Sequence, residues 1–303
     1  MGRLRTSHGH AEPYHVKFWQ VGNERSGAEY EQRLPTFCRA IREADPSAVI
    51  LSSFPTPGVL RQAGALIDYV CPHQYDCGNL VATQAELDQA LATCREVSPQ
   101  RPIKIGVTEW NTTAGDWGPH RAKLWTLDNA LACARYHNLL HRYCDAVQIA
   151  NRSNLANSFC SGIIQTDNHR LYKTPTYYAQ QLYATLAGDR PLQIEPPAGA
   201  TPLPDVSATL STDGRSVILL AVNPGPDELV RELDLTAFGD GAQEAETWTL
   251  RDRKHAREPD AVNSFDEPER IAPDRAQFRA SSGRFDYRFP PLSLTVLRWR
   301  VQR

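Results

Sequence analysis

Residues 17–24 of this 303-residue chain read KFWQVGNE, an apolar strand that stops abruptly at Gly22-Asn23-Glu24. The full apolar run, HVKFWQVG (15–22), precedes AEYEQRLPTFCRAIREAD (28–45), whose apolar residues recur with a helical period. A strand followed by a helix is one βα unit, so this stretch predicts a parallel α/β fold. A carboxylate placed where a buried strand ends, as Glu24 is, also needs a chemical reason.

The same alternation recurs along the first 188 residues, where we count five βα units. Each strand is continuously apolar, which is typical of parallel sheets covered on both faces. The predicted strands are HVKFWQVG (15–22), AVILSS (48–53), LIDYVCPHQY (66–75), IKIGVTEW (103–110) and AVQIAN (146–151). The predicted helices lie within residues 28–45, 58–64, 83–97, 120–143 and 174–188.

The second part of the chain has a different period. Residues 189–204, DRPLQIEPPAGATPLP, carry five prolines and no hydrophobic period, which is typical of a linker. Short strands separated by turn signals follow and predict an antiparallel β-sandwich. We therefore predict an α/β domain over residues 1–188 and a C-terminal β-sandwich domain, including its linker, over 189–303. The predicted sandwich strands are DVSATLS (205–211), SVILLAVN (216–223), ELVRELDL (228–235), AETWTL (245–250), FDYRFP (285–290) and SLTVLRWRV (293–301).

Polar side chains stand where the predicted parallel strands end, which is where α/β architectures carry their active sites. Two of them are glutamates, Glu24 and Glu109, and retaining glycoside hydrolysis requires two carboxyls on one rim. One carboxyl protonates the leaving oxygen and later deprotonates water, while the other attacks the anomeric carbon. The candidate residues at the strand ends are Asn23, Glu24, Ser52, Ser53, His73, Tyr75, Glu109, Trp110, Asn111 and Asn151.

Either glutamate alone is more often a helix-capping or salt-bridging residue. The intervening HQY favours a shared site, because His73 and Tyr75 are two residues apart on a strand and point to the same side. A lone strand histidine is usually a core residue, but a His and a Tyr between two rim glutamates can orient a carboxylate and bind sugar hydroxyls. Trp117 and Trp125 could stack on a sugar face, although tryptophans near helices are more often core residues.

The composition limits the class of protein. With 41% hydrophobic and 22% charged residues, the chain is typical of a soluble globular protein. A formal charge of −2 without a basic block gives no sign of nucleic acid or an anionic membrane as a partner. The sequence has no run of eighteen apolar residues, and its N-terminus lacks the apolar segment of a signal peptide. We therefore expect a neutral substrate and slightly favour a cytoplasmic location.

Seven cysteines all lie within the first 160 residues, at spacings that match no zinc ribbon. Their odd number favours reduced, mostly buried thiols over a disulfide framework. They are Cys38, Cys71, Cys77, Cys94, Cys133, Cys144 and Cys160.

The sequence gives little support for a metal site or for other catalytic motifs. HNLLH places His137 and His141 one helical turn apart, but Asn138 stands where a zincin needs Glu, so core or solvent roles are favoured. His8-Gly9-His10, at a loose terminus, is a weak metal site at best. The chain carries no P-loop, G-x-S-x-G or G-x-G-x-x-G motif. We therefore predict no cofactor and no metal.

Three motifs, WQVGNE (19–24), HQY (73–75) and VTEWN (107–111), resemble in order and position those of the clan A retaining glycosidases, which fold as (β/α)8 barrels. The detailed pattern is similar to that of the family 51 α-L-arabinofuranosidases. The resemblance covers nearly the whole chain. Further matches are EPYHVKFWQVGNE (12–24), YKTPTYYAQQLY (172–183), AVNSFDEPERIAP (261–273) and FPPLSLTVLRW (289–299).

The resemblance implies a retaining hydrolase that releases terminal L-arabinofuranose from arabinose-containing polysaccharides or oligosaccharides. Motif by motif, Glu24 takes the acid/base role and Glu109 the nucleophile role. Asn23 matches an asparagine that hydrogen-bonds the sugar 2-hydroxyl, and Tyr75, paired with His73, is expected to contact the nucleophile. The residues taken as substrate-binding are Asn23, His73, Tyr75, Trp110 and Asn111.

A (β/α)8 barrel has eight βα units in typically about 250 residues. If HVKFWQVG is strand 4, the chain holds strands 4 to 8 and lacks strands 1 to 3. The resemblance then implies an N-terminally truncated protein, a fragment of a longer product, or a chain completed by a second polypeptide. Alone, such a chain is expected to be a poor enzyme or none. It is expected to aggregate, to form a homo-oligomer through its open strand edges, or to be soluble only with its missing half.

Two alternatives remain open. Because clan A shares the two glutamate motifs, another glycosidase of the clan, acting on xylosides or glucans, also fits. An incomplete barrel is likewise compatible with a catalytically impaired fragment that serves only as a carbohydrate-binding module. The presence of both glutamates argues against that second alternative.

Overall fold

The computed structural model of the protein describes residues 2–113, 119–157, 162–196, 203–241 and 243–301. The chain divides into two compact units. The first comprises residues 1–73, 86–108 and 146–150, and the second comprises residues 74–85, 109–145 and 151–303.

The five predicted βα units are present up to Leu186, and a helix at the N-terminus and a β-hairpin after the fifth unit's strand are additional elements that were not predicted. The strands are β1 (Phe18–Gln20), β2 (Val49–Leu51), β3 (Tyr69–Val70), β4 (His73–Gln74), β5 (Lys104–Trp110), β6 (Val147–Arg152) and the hairpin of β7 (Ile164–Thr166) and β8 (Leu171–Lys173). The helices are α1 (Gly2–Ser7), α2 (Ala28–Ala44), α3 (Pro57–Ala63), α4 (Leu80–Val97), α5 (Leu127–Arg142) and α6 (Pro175–Leu186), with a 3-10 helix at Pro119–Trp125.

Strands β1, β2, β3 and β5 pair in parallel, with Phe18 opposite Val49 and Tyr69 opposite both Leu51 and Lys104. The hydrogen-bonded order of the sheet is β1-β2-β3-β5-β4, and β6 also pairs with β5. Strands β3 and β4 are two parts of the single strand predicted over 66–75. They are separated at Cys71-Pro72, where proline has no N–H to give to a ladder. The prediction of a parallel α/β sheet is therefore confirmed.

Threonines begin three of the helices. The side chains of Thr56, Thr126 and Thr174 accept the backbone N–H three residues ahead, at 3.1, 3.2 and 3.4 Å. Pro57 and Pro175 occupy the first helical position, where a missing N–H costs nothing. Because Thr126 caps a new helix, the single helix predicted over 120–143 was wrong: a 3-10 helix precedes α5. Within the described ranges, none of the helices combines the length and apolar character needed to cross a membrane.

The C-terminal part is antiparallel β structure. Its strands are β9 (Arg190–Leu192), β10 (Asp205–Leu210), β11 (Ser216–Asn223), β12 (Leu229–Asp234), β13 (Gln243–Leu250), β14 (Asp274–Ala280), β15 (Arg284–Phe289) and β16 (Ser293–Arg300), with a 3-10 helix at Thr236–Phe238. Six strands form a sheet in the order β14-β13-β16-β11-β10-β9, and β12 pairs with β15.

All six strands predicted for this part are present, and two more were missed. Strand β9 lies inside the predicted linker, so the linker assignment was wrong for residues 190–192. Its Pro191 is tolerated because β9 is the edge strand of the sheet. Strand β14 was missed because DRAQFRA is mostly polar and offers Phe278 as its one large apolar side chain.

Strand β11 is apolar along its length because both of its faces are buried. Ile218 and Leu220 belong to a core shared with α5 and α6, whereas Val217 and Leu219 belong to a core shared with β12 and β15. Helices α5 and α6 precede the predicted boundary between residues 188 and 189, whereas β11 follows it. Because these helices and this strand share one core, the second unit includes residues from both sides of that boundary. That boundary stays a prediction about domain organisation.

The cysteines of the described residues are free. All but Cys144 are buried, as predicted, while Cys160 lies outside the described residues. Burial raises the pKa of Cys38 to about 11 and that of Cys71 to about 12. Thiols with such pKa values are inert at neutral pH.

Candidate active site

The turn after β1 carries Glu24 in an unusual backbone conformation. Gly22 has a φ of 90° and Glu24 a φ of 50°, so both lie in the left-handed region. For a residue with a side chain this costs on the order of 1–3 kcal/mol, and it persists where the surroundings enforce it. A Cβ at position 22 would also lie 2.9 Å from Cε2 of Tyr30, so glycine is required there for space as well.

Hydrogen bonds on both sides of Glu24 hold this turn. Tyr30 on α2 donates its hydroxyl proton to the carbonyl of Val21 at 2.6 Å and accepts the N–H of Ser53 at 2.9 Å. Oγ of Ser53 accepts the N–H of Arg25 at 2.7 Å. Burial raises the pKa of Tyr30 to about 12, so its hydroxyl remains a donor at neutral pH. Glu24 is thus presented by a turn anchored immediately before and after it.

The partner of Glu24 is a buried imidazole. Nδ1 of His73 lies 3.0 Å from Oε1 of Glu24, and Nε2 of His73 lies 3.2 Å from Oγ1 of Thr108. The ring of Phe54 packs edge-on against the imidazole, with 5.5 Å between centroids. The side chain of His73 is 3% exposed, whereas that of Glu24 is 52% exposed. The imidazole is therefore fixed, and the carboxyl that it holds is open to a bound molecule.

The partner of Glu109 is a phenol. Glu109 is the penultimate residue of β5, and the hydroxyl of Tyr75, directly after β4, donates to its Oε2. The same hydroxyl lies 2.8 Å from Oγ of Ser153. All three side chains belong to residues of intermediate burial. A hydrogen bond to an ionised carboxylate is roughly twice as strong as one between neutral groups, so Tyr75 fixes one oxygen of Glu109.

The short segment His73–Gln74–Tyr75 therefore supplies one hydrogen-bond partner to each predicted glutamate. His73 bonds Glu24 within the first unit, and Tyr75 bonds Glu109 within the second. Gln74, between them, is buried, and its Oε1 accepts the hydroxyl proton of Tyr136 at 2.6 Å. Successive side chains of a strand point to opposite faces, so His73 and Tyr75 lie on one face and Gln74 lies on the other.

Trp110 and Asn111 are core residues. Trp110 is fully buried, with its ring 4.8 Å from that of Tyr136 and 5.1 Å from the guanidinium carbon of Arg152. Asn111 is 2% exposed, and its Oδ1 accepts a proton from Nη2 of Arg152 at 3.1 Å. Side chains with so little accessible surface favour a supporting role over direct contact with a sugar. Their predicted substrate binding stays a prediction.

The remaining candidates occupy different environments. Asn23 is exposed in the same anchored turn as Glu24. Trp125 is partly buried at the end of its 3-10 helix, and Trp117 lies outside the described residues. Asn151 is exposed on β6.

The histidines of HNLLH are core residues, as the sequence favoured. His137 stacks on Tyr183 with 4.7 Å between ring centroids, and burial lowers its pKa to about 3. Nδ1 of His141 lies 2.9 Å from Oγ of Ser207, and burial lowers the pKa of His141 to about 4. Both rings are therefore neutral at physiological pH and engaged by packing.

Tyr30, Thr108 and Ser153 were not among the predicted site residues. Tyr30 lies on a helix, and the strand-end pattern gives no signal for it. Ser153 was missed because β6 runs to Arg152, one residue beyond the predicted strand end at Asn151. The residue that follows the strand is therefore Ser153, a polar residue that the same rule would have found with a correct boundary.

Comparison with known proteins places this fold and site in context. A family described as alpha-L-arabinofuranosidase C-terminal domain matches residues 108–293, and one described as alpha-L-arabinofuranosidase 1 domain matches residues 1–90. A probable alpha-L-arabinofuranosidase A of Aspergillus terreus is 25% identical over 98% of this chain. An intracellular exo-alpha-(1->5)-L-arabinofuranosidase 1 of Bacillus subtilis is 23% identical over 99% of it. The crystal structure of the alpha-L-arabinofuranosidase of Thermotoga maritima in an arabinose complex is 23% identical, covers 98% of the chain and superposes with a TM-score of 0.80.

The chain spans only part of each of these proteins. It covers 45% of the Aspergillus terreus relative, 69% of the Bacillus subtilis relative and 69% of the Thermotoga maritima chain. At this identity, the structural likeness bears on the fold alone.

Proposed function

The chain belongs to the α-L-arabinofuranosidase family, and on that premise we propose that it carries the two catalytic carboxyls of a retaining α-L-arabinofuranosidase. The observation that carries the proposal is the segment His73–Tyr75, which gives each glutamate its own hydrogen-bond partner. A helix-capping role for either glutamate would require neither a buried imidazole nor a phenol. The reaction would release terminal L-arabinofuranose from arabinose-containing polysaccharides or oligosaccharides.

We assign the five strand positions β1, β2, β3 with β4, β5, and β6 to strands 4 to 8 of a (β/α)8 barrel. The parallel pairing of β1, β2, β3 and β5 in sequence order supports this assignment, as does the pairing of β6 with β5. We assign β9 to β16 to a β-sandwich, supported by the core that β12 and β15 share with the six-stranded sheet. Both glutamates then belong to carboxyl ends of barrel strands, where catalytic residues of such barrels lie.

In the first step Glu109 is the nucleophile. A carboxylate oxygen of Glu109 bonds the anomeric carbon, the glycosidic C–O bond breaks, and the proton of Glu24 goes to the leaving oxygen. Glu24 suits the acid role because one of its oxygens is held by His73 while its side chain stays half exposed. Neither this step nor the hydrolysis of the glycosyl ester that follows it requires a metal or a cofactor.

In the second step Glu24 acts as the base. It takes a proton from water, the water oxygen bonds the anomeric carbon, and the electron pair of the ester bond returns to Glu109. Negative charge reappears on Glu109 at this point, next to the hydroxyl of Tyr75. We assign Asn23, exposed beside Glu24, to the sugar 2-hydroxyl, whose hydrogen bond strengthens as the oxocarbenium ion develops. Trp110 and Asn111 act through the groups that they pack against.

A panel of 4-nitrophenyl glycosides tests this function, with Glu109→Ala as the matched control. We expect slow but measurable hydrolysis of the α-L-arabinofuranoside by the wild-type protein and none by the variant. Preferential hydrolysis of a β-xyloside or β-glucoside would instead indicate another clan A specificity. Binding of arabino-oligosaccharides without hydrolysis of any substrate would indicate a carbohydrate-binding module.

A further inference from the structure

Ser153 stands at a fixed position beside the strand that carries Glu109. It follows the last residue of β6, and its backbone N–H donates to the carbonyl of Trp110 at 3.1 Å. Trp110 is the residue after Glu109 on β5. The β5–β6 pairing thus sets where the Ser153 hydroxyl lies relative to Glu109.

The direction of the hydrogen bonds around Tyr75 follows from a count of protons. The phenol has one proton, and an ionised carboxylate can only accept. With Glu109 ionised, as a nucleophile must be, Tyr75 donates to Oε2 of Glu109. The 2.8 Å contact between Tyr75 and Ser153 must then be a donation from Oγ–H of Ser153 to the phenol oxygen. The result is a chain of two hydroxyls that ends on the carboxylate.

We propose that Ser153 is a positioning residue for the reaction, because its hydroxyl directs the proton of Tyr75 onto Glu109. A donor on the phenol oxygen commits the phenol proton to the carboxylate and polarises the O–H bond that carries it. Supporting groups of this kind hold a functional side chain in its productive geometry. This inference rests on the proposed function, since it gives Glu109 the nucleophile role.

The Ser153 hydroxyl should affect the rates of the two steps of the reaction differently. A stronger hydrogen bond from Tyr75 makes the Glu109 carboxylate a weaker nucleophile but a better leaving group. Forming the glycosyl ester is therefore little helped by Ser153, whereas breaking that ester is helped. Loss of the Ser153 hydroxyl should slow the second step, so that the covalent intermediate accumulates.

The test is Ser153→Ala assayed on 4-nitrophenyl α-L-arabinofuranoside, an activated substrate whose first step is fast. We expect kcat and KM to fall together by about 3- to 10-fold, the range that one neutral hydrogen bond supports, with kcat/KM nearly unchanged. Ser153→Thr, which keeps the hydroxyl, should restore both to within about twofold. The control is Ser281→Ala, an exposed serine in the turn between β14 and β15 that should change neither constant.

A fall in kcat without a fall in KM would indicate a structural disturbance and would overturn the inference, as would unchanged kinetics in Ser153→Ala. The second readout is the Tyr75→Phe background, where no phenol hydroxyl remains to be directed. There Ser153→Ala should have no further effect. An equal effect in both backgrounds would show that Ser153 does not act through Tyr75.

If the wild-type protein hydrolyses none of the glycosides, the assays do not support the proposed function, and urea unfolding then decides the inference separately. The two variants and their double variant form a cycle on the unfolding equilibrium constant. Coupling of at least about twofold is expected from a shared hydrogen bond. Additive effects would overturn the pairing of Ser153 with Tyr75.

Discussion

Oε1 of Glu24 lies 3.0 Å from Nδ1 of His73, whose other nitrogen lies 3.2 Å from Oγ1 of Thr108. With Glu24 ionised, Nδ1 must carry a proton, so a neutral His73 accepts the Thr108 hydroxyl proton at Nε2. The Thr108 hydroxyl, which can donate or accept, is compatible with the tautomer that serves Glu24. The imidazole is held in one orientation because its side chain is 3% exposed and packs against Phe54.

His73→Ala should impair proton donation more than it impairs binding. We expect the rate on an arabino-oligosaccharide, whose leaving group needs a proton, to fall by roughly 10²-fold or more, the low end of general acid catalysis. The rate on 4-nitrophenyl α-L-arabinofuranoside should fall much less. The ratio of kcat/KM for the two substrates, in wild type and variant, measures this difference in loss. The control is His169→Ala, at a residue whose side chain is 77% exposed. An equal loss on both substrates would contradict a role for His73 through Glu24.

Alanine variants of the two glutamates should separate their roles. Glu109→Ala should lose activity on every substrate, because no nucleophile remains. Glu24→Ala should keep activity on substrates with good leaving groups, and added azide should raise it by attacking the covalent intermediate. Rates with and without azide, on activated and unactivated substrates, are the measurement. Rescue of Glu109→Ala, and not of Glu24→Ala, to a glycosyl azide that retains the anomeric configuration of the substrate would reverse the assignment.

Stability should rise with pH through the range in which unfolded histidines titrate. The folded pKa of His137 is lowered to about 3 by burial, against about 6.5 in an unfolded chain. Between these values the unfolded state binds a proton that the folded state does not, so the free energy of unfolding falls as pH falls. The slope from one such histidine is at most about 1.4 kcal/mol per pH unit. His141, with a pKa lowered to about 4, adds to it below pH 6.5.

Urea unfolding between pH 4.5 and pH 7.5 measures this slope. His137→Phe keeps an aromatic ring against Tyr183 and should make the slope shallower. His169→Asn, at the exposed hairpin histidine, is the matched control. A slope that is the same in wild type and His137→Phe would show that His137 does not titrate differently in the two states.

Much of the α/β part could be predicted because its signals are local. Continuously apolar strands, Thr-Pro helix starts and polar strand ends are each readable within a few residues. The five predicted strands before the linker are all present, and β3 and β4 differ from the prediction only where Pro72 interrupts the ladder. The hairpin of β7 and β8 was missed, because its residues were taken as a long loop. Both glutamates and both of their partners, His73 and Tyr75, were selected from strand ends alone.

What escaped prediction depends on tertiary contacts. Tyr30 holds the Glu24 turn from a helix, and its hydroxyl meets Val21 and Ser53 only after the chain has folded. Trp110 follows the nucleophile candidate in sequence, yet its ring is buried against Tyr136, which no local pattern indicates. Strand β14 forms despite its polar sequence because it pairs with β13 at the edge of the sheet.

The proposed double displacement makes a stereochemical prediction that does not depend on rates. Attack by Glu109 inverts the anomeric carbon once, and attack by water on the glycosyl ester inverts it again. The first arabinose released must therefore keep the α configuration of the substrate. Proton NMR of a reaction started at high enzyme concentration detects the anomeric signal before mutarotation mixes the two anomers. Added methanol, which competes with water for the ester, should give the methyl α-L-arabinofuranoside. Initial appearance of the β anomer would mean that water attacks the substrate directly, and it would remove Glu109 from the nucleophile role.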